Sequence, residues 1–125
     1  VIFWITGNTG AGKTRLSNSL RGNNTIRLDG DTMREIWPGL GFSIEDRAEQ
    51  CFRVARLAQI FEAQGFCILV SVIAPTEIIR AEIKKICGCN FIYLPDGAKP
   101  SDKNPYEPPR SPEIHVKPGR SNEND

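Results

Sequence analysis

Val1-Ile2-Phe3-Trp4-Ile5-Thr6-Gly7-Asn8-Thr9-Gly10-Ala11-Gly12-Lys13-Thr14 divides into two readable halves. The first six residues are a continuous apolar, β-rich run ended by glycine, the pattern of a strand buried on both faces. The last eight satisfy G-x-x-x-x-G-K-[ST], placed between a predicted strand and a predicted helix, which is the context that motif needs. With glycine at about 7% of residues, a chance match in a chain of this length is on the order of one in a few hundred, so the motif decides the class. Glycines let the backbone curl until several N–H groups face one phosphate, and the following helix adds its positive end. Lys13 then reaches the β- and γ-phosphates while the Thr14 hydroxyl ligates Mg²⁺. Gly7, Asn8, Thr9, Gly10, Ala11, Gly12, Lys13 and Thr14 are accordingly expected to hold ATP.

Outward from this stretch, Lys13 to Leu20 reads as a helix stopped by Gly22, Asn23 and Asn24. Ile26 to Leu28 is a short strand running into Asp29-Gly30-Asp31, read as a turn that carries two carboxylates. Ser43 is a good N-cap, and Ile44, Ala48, Cys51, Ala55, Ala58 and Phe61 recur at three- or four-residue spacing up to Gly65, the strongest helical pattern in the chain. Phe66 to Ile73 is a buried strand. Pro75 and Thr76 open a helix that presents Ile79, Ile83 and Ile86 and stops at Gly88, and Asn90 to Leu94 is a fourth strand. Strands alternating with helices predict an α/β fold of parallel crossovers with both sheet faces covered.

Seven of the nine prolines lie between Pro95 and Pro118, so the chain beyond Leu94 is expected to be mostly extended coil, with Ile114 to Val116 as a short edge strand. The predicted layout is one domain over residues 1–116 and a disordered tail over 117–125.

Composition narrows the partners. The chain has 125 residues, 39% hydrophobic and 25% charged, enough for one core. Sixteen Lys plus Arg against fifteen Asp plus Glu leave a formal charge of +1. No global field therefore recruits nucleic acid or an acidic membrane, and an anion has to be held locally. The apolar runs are too short to span a bilayer. Cys51, Cys67, Cys87 and Cys89 form no C-x-x-C pair, and His115 is the one histidine, so they read as reduced thiols in or near the core. With no signal-peptide pattern, a cytoplasmic address is expected. The chain starts without Met inside an apolar run, and the expectation is that a few residues precede it.

A phosphate loop leaves the phosphate acceptor open. The N-K-x-D type of guanine-reading motif is not found, and Phe66 to Ile73 does not end in the Asp of a motor ATPase, which leaves a small-molecule kinase. Asp29 and Asp31 end the second strand, which can lie beside the phosphate-loop strand or one strand away. One can accept a hydroxyl proton and the other hold a metal-bound water, although such pairs also make solvated turns. Arg34 follows within one turn. Arg47, Gln50 and Arg53 step at i, i+3, either as a polar face toward an anionic substrate or as a solvated helix face.

Taken in order, these residues resemble the adenylylsulfate kinase family. Leu28-Asp29-Gly30-Asp31 with Arg34 is similar to its L-D-G-D-x-x-R segment, and Gly41-Phe42-Ser43 with Asp46-Arg47 to its G-F-S-x-x-D-R. Ser71, Ile73 and Pro75 with Arg80 are similar to its S-x-I-x-P strand end and following arginine. Pro105-Tyr106-Glu107-Pro108 with Pro112-Glu113 is similar to its P-Y-E-x-P-x-x-P-E tail. The resemblance runs from Val1 to about Val116. It implies a three-layer P-loop kinase sandwich with a mostly parallel sheet of four to five strands, moving the γ-phosphoryl of MgATP to the 3′-hydroxyl of adenylylsulfate. It further implies a catalytic set of Asp31 as general base, Asp29 and Lys13. Phe42 would stack on the acceptor base, Arg34 and Arg47 would contact its phosphate or sulfate, and the Ile73 backbone would lie near the base. Read without the family, Phe42 would be ordinary core at a helix start.

Three departures accompany the likeness. Gln50, expected on the substrate side, stands where the family usually has Asn, and Phe52 stands where it usually has the first Arg of an R-R pair. The family's long lid is missing, since Leu94 passes through Pro95-Asp96-Gly97-Ala98-Lys99-Pro100 almost directly to Pro105. Lys99 or Lys103 is left to replace its positive charge. Two rival readings follow: a related kinase for another nucleotide-linked acceptor such as cytidine diphosphoramidate, and a nucleotide-binding module that does not turn over. Expected partners are a small-molecule nucleotide acceptor and, for assembly, a second copy in a homodimer, with no nucleic acid and no membrane.

Overall fold

Alternation along the first strand, β1 (Ile2–Thr6), decides the layering. Ile2 and Trp4 enter one apolar cluster, while Ile5 enters another with half-buried Phe3 beside it, because side chains two apart share a face of a strand. The computed structural model describes residues 1–110 together with the backbone of the short strand at 114–115. The tail expected over 117–125, Pro112, Glu113 and Val116 lie outside the described residues.

The other strands are β2 (Thr25–Asp29), β3 (Cys67–Ser71), β4 (Asn90–Tyr93) and β5 (Ile114–His115). All pair in parallel in the order β2-β3-β1-β4-β5. The central β1 is thus flanked by β3 and β4, and a ligand crevice is expected outside the carboxyl ends of the strands at this switch point. The pairing register sets Asp29 opposite Ser71, so the second strand lies one strand away from β1.

Helix α1 (Lys13–Ser19) supplies Leu16 to the cluster around Ile5 and Ile92. Helices α3 (Ile44–Glu62) and α4 (Glu77–Cys87) cover the opposite face through Val54, Ala58, Ile79 and Ile83. The three expected layers are therefore present. The caps also form as read: the Ser43 hydroxyl accepts from Asp46 N–H at 3.1 Å, and Thr76 from Ile79 N–H at 3.1 Å. Gly88 ends α4 at φ 64°, a left-handed conformation that glycine adopts without strain.

One reading is corrected. Asp29-Gly30-Asp31 opens a helix, α2 (Gly30–Ile36), where a turn was expected. Asp29 is its extended N-cap, Asp31 lies in its first turn and Arg34 in its last, each sign suited to the helix dipole. Seven residues with Met33 alone buried carry too little periodicity to announce themselves.

The proline-rich end is pinned rather than loose. Tyr106, 7% exposed, has its hydroxyl 2.8 Å from Thr6 Oγ1. Glu107 N–H donates to Pro75 O at 2.7 Å. The buried Arg80 guanidinium donates to the carbonyls of Ala74 and Glu107 and to the Glu77 carboxylate at 2.7 Å, which compensates its charge. Among the described residues no helix is long and apolar enough to cross a membrane.

Candidate active site

The carboxyl ends of the strands enclose a cleft of about 560 Å³. Thr9, Gly10, Lys13 and Thr14 line it from the phosphate loop, and Arg34, Phe42, Arg47 and Gln50 line it from α2, α3 and the loop between them. Asp29, Asp31, Ser71 and Ile73 add to the walls. Most of the sequence-predicted groups thus converge on one space, while Gly7, Asn8, Ala11 and Gly12 of the phosphate loop do not line it.

The loop's shape is written in its glycines. Gly10 and Gly12 adopt φ 82° and 94°, where a Cβ is strained. A Cβ on Gly7 would stand 2.6 Å from Leu94 O and 2.9 Å from the Ala11 Cβ. Lys13 folds over the loop, its Nζ donating to Gly7 O at 3.0 Å and Asn8 O at 3.2 Å. Burial pushes its ammonium below the ordinary lysine range, while Asp29 and Asp31 pull the other way.

Asp29 is committed. Its Oδ1 accepts from Ser71 Oγ at 2.7 Å and from Thr14 Oγ1 at 3.1 Å. Asp31 is exposed and accepts no hydrogen bond among the described residues. The oxygen set suits Mg²⁺, a hard cation usually held by one or two protein groups, waters and phosphates. No cluster of three His, Cys, Asp or Glu that could hold a metal ion occurs among the described residues.

Phe42 is 67% exposed, which excludes the core reading. Its ring instead carries the Arg34 guanidinium at 4.1 Å and that of Arg47 at 5.6 Å. Each arginine is held by one backbone carbonyl: Arg34 Nη1 donates to Gly41 O at 2.9 Å, and Arg47 Nε to Phe42 O at 2.8 Å. The remaining N–H groups are left for an anion. Burial, then the like charge of Arg34, lowers the Arg47 pKa from its ordinary value.

The expected i, i+3 face does not stay together. Gln50 is buried and its Nε2 donates to Gly30 O at 3.2 Å, so it braces α2 at the cleft wall. Arg53 leaves the site, pairing with Glu49 at 2.8 Å and lying over Trp37 at 5.5 Å. Ile73 lines the cleft with its carbonyl accepting from Cys51 Sγ at 3.3 Å. Burial pushes that thiol up to about 12, so it stays a neutral donor. All four cysteines are free.

Sequence reasoning missed three contributions. Ser71 was read as part of the S-x-I-x-P strand end, without its bond to Asp29. Asn8 is 5% exposed and turns away from the cleft, its Nδ2 donating to Ala98 O at 2.9 Å and Asn104 O at 3.1 Å. Through these bonds, and Ala98 N–H to Thr9 O at 2.7 Å, residues 95–104 form a strap across the phosphate loop. Lys103 and Asn104 of the strap line the cleft, and Lys99 does not.

A phosphate loop at the end of the central strand, two carboxylates and an aromatic-arginine wall in one cleft define a P-loop phosphotransferase. Residues 1–94 match the family model for adenylylsulphate kinase, and the chain belongs to that family. It is 40% identical over 100 residues to an adenylyl-sulfate kinase of Paraburkholderia xenovorans, an alignment that takes in 74% of this chain but 56% of that enzyme. It is 32% identical to the one of Chloroflexus aurantiacus over an alignment of 147 residues, covering 94% of this chain and 79% of the relative. A solved Mycobacterium tuberculosis APS kinase superposes with a TM-score of 0.75 at 28% identity, covering 98% of this chain and 89% of that one. The Chloroflexus alignment is longer than the 125-residue chain itself, so the relative carries residues this chain lacks. The family match ends at Leu94, where the strap begins.

Proposed function

We propose that the chain transfers the γ-phosphoryl of MgATP to the 3′-hydroxyl of adenylylsulfate, giving 3′-phosphoadenylylsulfate. The observation that carries this reading is the single cleft that joins Lys13 and Thr14 to Phe42, Arg34 and Arg47, with Asp29 and Asp31 on its wall. The loop N–H groups and Lys13 bind the β- and γ-phosphates. Thr14, with Asp29 oriented by Ser71, would hold Mg²⁺, which when bound would offset charge on the phosphate oxygens. Phe42 stacks on the acceptor base, Arg34 and Arg47 take its phosphate or sulfate, and the Ile73 backbone borders the base. The acceptor 3′-oxygen attacks the γ-phosphorus, the bond to the β–γ bridging oxygen breaks and ADP leaves. The hydroxyl proton goes to Asp31, whose carboxylate is not engaged elsewhere among the described residues, whereas Asp29 is. Cytoplasmic location and homodimeric assembly belong to the same reading.

A second reading rests on Phe42 being the one aromatic ring lining the cleft among the described residues. A base held on one face is loosely discriminated, which favours a different nucleotide-linked acceptor such as cytidine diphosphoramidate. An ATP-consumption panel with adenylylsulfate, other nucleotide acceptors and no acceptor separates the readings. Activity with adenylylsulfate supports the first, activity only with another acceptor the second, and no acceptor-dependent ADP release leaves a binding module. In the active pair, Asp31→Asn is expected to lower kcat about a hundredfold with little change in the KM for ATP. Unchanged turnover would move the proton to Asp29 or to solvent.

A further inference from the structure

The strap has a property that neither the family match nor the proposed reaction uses. It is the segment where the chain leaves the family pattern, yet it is fixed at its start and its end to the phosphate loop. Ala98 N–H donates to Thr9 O at 2.7 Å, and Asn8 Nδ2 spans Ala98 O and Asn104 O. Inside it, Ser101 N–H donates to Asn104 O at 3.1 Å and Asn104 N–H to Ser101 Oγ at 3.1 Å. This closed turn places Lys103 among the residues that line the cleft, as Thr9 and Gly10 of the loop do. Lys103 has no hydrogen bond or ion pair among the described residues, whereas Lys13 is held on Gly7 O and Asn8 O and both cleft arginines are engaged around Phe42. The cleft therefore has one cation on its phosphate-loop side, other than Lys13, that is available to an anion.

We propose that Lys103 binds the terminal phosphate of the nucleoside triphosphate, and that Gly97 is the positioning residue that lets the strap deliver it. The assignment rests on the nucleotide reading above. Gly97 stands directly on the loop: a Cβ there would lie 2.5 Å from Asn8 O and 2.8 Å from Asn8 C, both backbone atoms, and 3.1 Å from the Ala11 Cβ. Any side chain at 97 therefore lifts the strap from the loop. The strap is a ten-residue wall held on the loop, and of its four charged residues, Asp96, Lys99, Asp102 and Lys103, only Lys103 lines the cleft.

The test is calorimetric binding of MgAMPPNP and MgADP at one ionic strength, with thermal unfolding as a check on folding. Lys103→Met keeps most of the stem and is expected to weaken MgAMPPNP about tenfold, the loss of one charge-assisted contact, and MgADP less than twofold. Lys103→Arg restores most of the loss. Lys99→Met, on the same strap outside the cleft, leaves both affinities unchanged. Gly97→Ala reproduces the Lys103→Met loss without lowering the unfolding temperature to the same degree, and the double variant adds nothing further. Wild-type affinity in Lys103→Met, or an equal loss in Lys99→Met, overturns the proposal. An equal loss for MgADP overturns the terminal-phosphate assignment, and an unaffected Gly97→Ala overturns the positioning role. If the unmodified protein does not bind MgAMPPNP, the nucleotide reading fails first and takes Lys103 with it. Binding that ignores Lys103 sinks this inference alone.

Discussion

The phosphate loop and the strap lie against each other, and they get their shapes from opposite sources. Residues 7–14 carry their geometry locally: Gly10 and Gly12 supply left-handed dihedrals, and Gly7 permits the approach of Leu94 O. The strap, residues 95–104, has Gly97 as its one requirement and otherwise takes its place from what it touches. Asn8 and Thr9 hold its body, and Tyr106, bonded to Thr6, anchors the chain just beyond it. A motif with its own dihedral code is recognisable without its neighbours. A segment held by tertiary bonds is recognisable only once those neighbours are in place.

The sharpest way to break this comparison is at the loop. Lys13→Ala should cost turnover about a thousandfold while leaving the unfolding temperature near that of the parent, because Lys13 serves ligand charge and contributes little to the core. Equal MgATP affinity in the variant, measured by titration, would remove the loop from the site. The Asp31→Asn loss of about a hundredfold ranks next, since it removes one proton acceptor and leaves phosphate binding intact.

At the strap the expected effects are smaller. With Phe42 the one aromatic ring lining the cleft among the described residues and a short strap on the phosphate loop, acceptor KM should be high and water should compete for the γ-phosphoryl, seen as ADP release without acceptor. Replacing residues 95–104 with the lid of a full-length family member should lower acceptor KM by up to about tenfold, the worth of a second stacking contact of about 0.5 to 1.5 kcal/mol, and suppress that release. Tight acceptor binding with negligible hydrolysis in the natural chain would show that the strap already closes the cleft.

The smallest effect is expected at the anchor. Burial pushes the Tyr106 hydroxyl up to about 12, against the opposing Thr6 bond and Arg80 charge. The folded protein thus holds this proton more tightly than the unfolded chain, whose tyrosine titrates near about 10. The resulting stability is present below about pH 10 and is lost as pH rises through about 12. Tyr106→Phe should cost about 1 kcal/mol at neutral pH, the Thr6 bond, and its denaturation midpoint should fall less steeply between about pH 10 and 12. Cys51, also raised by burial, titrates in both proteins, so the difference between the two curves isolates Tyr106. Parallel curves would show that the hydroxyl is not buried as described.

The sequence alone carried the parallel alternation, all five strands including the short edge strand at Ile114, the helix starts at Ser43 and Thr76 and the phosphate loop, because each depends on neighbours within about one turn or on a period of two or 3.6. It also carried Asp29, Asp31, Arg34, Phe42 and Arg47 as an ordered set. It did not carry α2, where Gly30 suggested a turn and one buried side chain was too few for a pattern. Nor did it say that Gln50 braces α2 while Arg53 leaves for Glu49, since neighbours on a helix face diverge by whatever packs against them. That Asp29 is hydrogen-bonded to Ser71 and Thr14 while Asp31 is not was hidden as well. It follows from the pairing of β2 with β3, which puts Ser71 opposite Asp29 and leaves Asp31 on the next turn of chain. What only the tertiary structure decided is which of the two spare lysines lines the cleft: Lys99 and Lys103 are equivalent as sequence. Bonds from Asn8 to carbonyls some ninety residues away fold the strap so that Lys103 enters the cleft and Lys99 does not, and no local period or propensity records a contact across that separation.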